Sequence, residues 1–230
     1  MTKLLPALSA LAFLALTACG SQQPAQAQNA SAGPVPATTG FAPKDLTGLA
    51  QATFAGGCFW AQEEAFEQLK GVRQVVSGYA GGTVPNPSYE QVCGQRTGHT
   101  ESVNVYYDPK VITYATLVDV FFRASHDPTT LNRQGPDSGP EYRSAIFFRT
   151  PEEKKVVDEA IARVNAGKLY DAKIVTQVAP LQQFWPAENY HQGYFRLHPD
   201  QPYVASVSAH KVAHVRQVFP QLIKADVPAL

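Results

Sequence analysis

Cysteine is scarce in this chain, which has three, at Cys19, Cys58 and Cys93, each in a different setting. So few excludes a disulfide framework, and the lack of any Cys-x-x-Cys pair argues against a dithiol exchanger. Net charge is lacking too, because 19 basic and 19 acidic side chains cancel. That balance leaves no electrostatic footprint for nucleic acid. Six histidines occur, but no His-Glu-x-x-His motif surrounds them. His210 and His214 have the four-residue spacing of a ligand pair on a helix and read better as a solvated face. No internal repeat is visible.

The chain has 230 residues, so one domain is expected once its tails are set aside. Residues 1–18 carry a single early lysine and an apolar run, 4–16, too short to span a bilayer comfortably. This is the layout of a secretory signal peptide. It ends Leu16-Thr17-Ala18-Cys19, which resembles the bacterial lipobox, with Cys19 as the lipidated first residue of the mature chain. The expectation is an exported, membrane-anchored lipoprotein of the bacterial cell envelope. Residues 19–50 form a flexible linker and run-in, rich in Gln, Ala, Ser, Pro and Thr up to about Pro43. Such a composition cannot bury enough surface to offset its ordering entropy. The folded domain spans 51–220, and 221–230 is a C-terminal tail.

Within the domain, hydrophobic periodicity places strands near 52–55, 72–79, 100–107, 143–149 and 174–179. The strand 100–107 alternates, with Val103, Val105 and Tyr107 on one face, as a half-buried strand does. Helices fall at 61–69, 116–125, from Thr150-Pro151-Glu152-Glu153 onward, and at 208–219. Thr150 and Glu153 have capping-box spacing around a proline at the first helical position. Long loops at 80–88 and 133–140 are of the size that is usually functional. The order of elements predicts an α/β (α+β) sandwich with a ferredoxin-like split β-α-β core, an added helix and strand, and an irregular C-terminal segment.

The organising stretch is Gly56-Gly57-Cys58-Phe59-Trp60. Two glycines allow a sharp turn, and the helix beginning there offers Cys58 unpaired amides and a positive dipole end. Both favour the nucleophilic thiolate. The aromatic neighbours can wall an apolar pocket.

These motifs together resemble the A class of peptide-methionine sulfoxide reductases. The likeness runs from about Phe54 to Phe219. It is carried by the Cys58 turn and by Gly78-Tyr79-Ala80-Gly81-Gly82 with Asn86-Pro87-Ser88-Tyr89 and Val92-Cys93. Thr97-Gly98-His99-Thr100-Glu101, Tyr107-Asp108-Pro109 and His126-Asp127-Pro128 follow, then Arg133-Gln134-Gly135-Pro136-Asp137 and Tyr142-Arg143-Ser144-Ala145-Ile146. Phe184, Ala187-Glu188 and Tyr190-His191-Gln192 complete the series.

The resemblance implies a reductase domain that acts on methionine S-sulfoxide, free or in oxidised proteins, in protein repair. One enzyme class serves each sulfoxide epimer. By similarity Cys58 attacks the sulfoxide sulfur and becomes a sulfenic acid. The oxygen must gain protons, which a thiolate alone cannot supply. Glu101 matches the family's acid, and Tyr89 and Tyr142 match its hydroxyl donors. Phe59 and Trp60 would hold the S-methyl group, and Asp137 would help order the site. No bound cofactor or metal is implied, and the monomer would turn over with an external thioredoxin-like thiol.

One departure stands out. Relatives often carry a resolving cysteine after the tyrosine of a Pro-x-x-x-Tyr segment. Here Pro199-Asp200-Gln201-Pro202-Tyr203 is followed by Val204, and no cysteine lies beyond Cys93. Cys93 is read as structural, with a Cys58–Cys93 bridge as the alternative.

Overall fold

The computed structural model describes residues 45–228. The expected signal peptide, the lipidation site Cys19 and the linker up to residue 44 lie outside the described residues.

The domain opens with β1 (Ala50–Gly56), α1 (Phe59–Glu67) and β2 (Val72–Ala80). A short α2 (Tyr89–Cys93) and β3 (Thr100–Tyr107) follow, then α3 (Tyr114–Val120), extended by a wider π turn at Phe121–Ser125. A two-residue hairpin, β4 (Arg133–Gln134) and β5 (Asp137–Ser138), precedes β6 (Ser144–Phe148), α4 (Pro151–Ala166) and β7 (Gln177–Pro180). The chain closes with β8 (Phe184–Pro186), a short α5 (Tyr194–Leu197) and α6 (Ala209–Val218).

The main sheet runs β7-β6-β1-β3-β2-β8. Its four inner strands are antiparallel, with β1 between β3 and β6, which is the split β-α-β order expected. The added strand β7 pairs parallel to β6. The irregular segment expected beyond it is corrected: β8 extends the sheet at β2, and a π turn at Val204–Ser208 leads without a break into α6, so helix begins earlier than 208.

Phe54 on β1 stacks on Phe66 of α1 at 5.0 Å and on Phe121 at 5.1 Å, and all three are fully buried. With Val103, Val105, Leu117 and Ile146 they join helices to one face of the sheet. The other face is not solvated, so the half-buried reading of β3 is corrected: all eight of its residues are buried. There Asn104 Oδ1 accepts from Thr53 at 2.9 Å and from Arg149 at 2.7 Å, while its amide donates to Gln51. Ala55, Ala80, Ala145 and Phe147 form a second apolar cluster. Alternation misled because these polar residues are buried as a bonded layer.

The capping box at α4 is half formed. Thr150 accepts from the Glu153 amide, but the Glu153 carboxylate accepts from Arg149 N–H, one residue upstream. At the far end, Leu222 and Lys224 pair with the backbone of Lys70 and Gln68, docking the start of the C-terminal tail.

Candidate active site

Cys58 is the N-cap of α1 and 6% exposed. The turn before it needs glycine: Gly57 has φ +85°, and a Cβ there would meet Gln134 Cβ at 2.6 Å. The turn is fixed by Gln62, one helical turn on, whose amide donates to Gly56 O at 3.1 Å and Ser125 O at 2.9 Å. His126 closes the same corner, with Nε2 2.7 Å from Ser144 Oγ. Burial pushes its pKa down to about 3, so it is a neutral strut at physiological pH.

Cys58, Phe59, Trp60, Tyr89, Glu101, Asp137 and Tyr142 line one cavity of about 250 Å³, so the structure brings all of these sequence-selected residues together. Gln201 and Tyr203 complete its wall. Glu101 projects from the middle of the sheet and is 2% exposed. Its Oε2 accepts the Phe59 amide at 2.9 Å, which satisfies one orphan donor of α1. Burial nonetheless dominates and, helped by Asp137 and Glu141, pushes the Glu101 pKa up to about 8. The group is therefore mostly a protonated acid at neutral pH.

The thiolate expectation for Cys58 needs correction. The Trp60 amide at the helix start does favour the anion, as the dipole reasoning anticipates. Burial and the adjacent Glu101 outweigh it and drive the thiol pKa well above its ordinary value. The resting group is a thiol.

Tyr89 leads α2 and is held by its backbone amide, which donates to Glu188 Oε1 at 2.9 Å. Tyr142 ends a turn held by Arg143, which donates to Pro140 O at 2.9 Å and Gly98 O at 3.0 Å. Burial raises both phenol pKa values, so each hydroxyl keeps its proton. Phe59 is 1% exposed and serves as core anchor and cavity wall together. Trp60 stacks on Tyr194 at 3.8 Å and donates from Nε1 to His191 Nδ1 at 3.1 Å. His191 is neutral because burial lowers its pKa to about 4.

Asp137 accepts a hydrogen bond from the Tyr203 hydroxyl. Tyr203 lines the same cavity as Cys58. Sequence reasoning used Tyr203 only to locate a missing cysteine and gave no role to His191, Tyr194 or Gln201. A Tyr in that segment beside two pocket aromatics was the available signal. Val204, in the resolving-cysteine position, is 1% exposed and packs with Phe195 and Val212. Cys58 and Cys93 are both free. His210 and His214 engage separate carbonyls, Ser206 O and Ala124 O.

A buried cysteine facing protonated carboxyl and phenol groups inside an aromatic cavity defines a thiol-dependent oxidoreductase. The family model described as peptide methionine sulfoxide reductase matches residues 50–223, and the chain belongs to that family. It is 47% identical over 180 residues to the peptide methionine sulfoxide reductase MsrA of Polynucleobacter asymbioticus, covering 78% of this chain and 94% of that one. To MsrA of Thermus thermophilus it is 51% identical over 173 residues, or 75% and 97% of the two chains. Reduced Mxr1 from Saccharomyces cerevisiae shares the fold at a TM-score of 0.63 and 36% identity, covering 68% of this chain and 90% of that one.

Proposed function

We propose that the domain reduces the S epimer of methionine sulfoxide, free and in oxidised proteins, with Cys58 as nucleophile and an external thiol as reductant. The observation that carries this is the shared cavity: Cys58 and the proton donors Glu101, Tyr89 and Tyr142 open into one space walled by Phe59 and Trp60.

A sulfoxide carries its partial negative charge on oxygen. A protonated Glu101 and the two phenols offer that oxygen hydrogen bonds that strengthen as the S–O bond breaks. The aromatic wall suits the S-methyl group, and Asp137 orients Tyr203 beside the reacting sulfur. In net terms the Cys58 sulfur loses two electrons and the methionine sulfur gains them. The oxygen ends on Cys58 as a sulfenic acid, which retains the proton of the original thiol. An external thiol, such as that of thioredoxin, then displaces the oxygen as water and leaves a mixed disulfide, which a second thiol cleaves. Val204 cannot supply a resolving sulfur, and Cys93 stays a free thiol.

The test is a reduction assay on separated sulfoxide epimers with monothiol and dithiol donors. Turnover of the S epimer alone is expected. Turnover of the R epimer at an equal rate contradicts the reading.

We further propose that residues 1–18 are a signal peptide and that Cys19 carries a lipid, tethering the repair domain to the envelope membrane through the linker. Mass spectrometry of the mature N-terminus should find an acylated Cys19. An unmodified start past that residue overturns the tether.

A further inference from the structure

One charged group near the cavity has no role in the chemistry above. Lys211, on the first turn of α6, sends its side chain behind the Gly56–Gly57 turn, where its Nζ lies 3.5 Å from the position a Gly57 Cβ would occupy. The Nζ atom is buried and makes no hydrogen bond among the described residues. An unpaired ammonium held out of water costs several kcal/mol unless an anion compensates it. Among the described residues no carboxylate bonds its tip. The site does hold a sulfur, on the residue after Gly57, that becomes an anion only during turnover.

We propose that Lys211 is an electrostatic positioning residue whose ammonium compensates the negative charge that develops on the Cys58 sulfur during catalysis. The inference rests on the reductase reading of the site and adds to it the source of the thiolate's stabilisation. Other groups facing the turn cannot take this part. Asp137 on β5 opposes a negative Cys58, as Glu101 on β3 would if it lost its proton, whereas Lys211 favours it. His126, after the π turn, stays neutral at physiological pH, and Tyr142 and Tyr203 are uncharged phenols held protonated by burial. Lys211 thus offsets Asp137, while Glu101 stays close as the protonated donor. The ammonium acts from the side of the turn away from the cavity, so it leaves room for substrate. No proton moves to or from Lys211 in this scheme.

The variants are Lys211→Met, which keeps length and apolar stem but removes the charge, and Lys211→Arg, which keeps it. The readout is the pH dependence of Cys58 alkylation by iodoacetamide in the full domain, followed by mass spectrometry of the Cys58 peptide so that Cys93 does not interfere. Lys211→Met should move the titration up by about one unit and slow alkylation at neutral pH about tenfold. Lys211→Arg should stay within about threefold of the parent, and thermal melts should show both variants folded. A Met variant that titrates with the parent overturns the proposal, as does an Arg variant shifted as far as the Met one. Because alkylation needs no sulfoxide, loss of the reductase reading in an epimer assay would be seen separately.

Discussion

Glu101 meets two opposed demands. It accepts a helix amide, and the proposed mechanism also requires it to hold a proton to give away. Burial resolves the conflict by pushing its pKa up to about 8 while one oxygen still accepts from Phe59. Glu101→Gln keeps the acceptor and loses the acid, so the chemical step should slow by about 10²–10⁴-fold. Single-turnover kinetics would show this, and the parent's rate should fall as pH rises through about 8. The same group sets a stability trend. Its folded pKa lies above the unfolded value, so between about 4.5 and 8 the native state binds more protons, and this group's contribution falls as pH rises through that window. The Gln variant should show a flatter melting-temperature profile there. Tyr142→Phe should cost about tenfold in rate, the worth of one charge-assisted hydrogen bond of ~1.5 kcal/mol. The nucleophile, the acid and two of its phenols were visible in the sequence because each sits in a motif. Lys211 was not, since it reaches the site from the C-terminal part of the chain and carries no local signature, and Tyr203 sits in a segment that sequence reasoning read only for its missing cysteine.

At the scale of elements, α1 joins core to chemistry. Its first residues line the cavity, and Phe66 near its end stacks under β1. Phe54→Ala should therefore destabilise the domain by ~3–5 kcal/mol in urea unfolding. Gly57→Ala should do harm of another kind. It places a Cβ against Gln134 at a positive φ and displaces the Cys58 turn, so activity should fall further than stability. Strands and helices with strong periodicity were legible. The buried polar layer on β3 was not, because Thr53, Asn104 and Arg149 are satisfied by one another across β1, β3 and the turn after β6, and spacing along one strand cannot report that. The π turn after α3 was equally hidden, and it is what carries Ser125 O to Gln62.

Over the whole molecule, the position after Tyr203, where the family resemblance implies a resolving thiol, lies just ahead of α6. Val204 begins the turn that leads into it and is sealed in apolar contacts, so the C-terminal segment braces the cavity through Tyr203 and supplies no sulfur. In the proposed cycle the domain therefore depends on an external thiol. The most direct check is one turnover on methionine S-sulfoxide without reductant, followed by intact-mass and thiol analysis. One methionine should form per protein, with a trappable sulfenic acid on Cys58 and a free thiol on Cys93. A Cys58–Cys93 disulfide, or methionine formed by a Cys58→Ser variant, would contradict this chemistry.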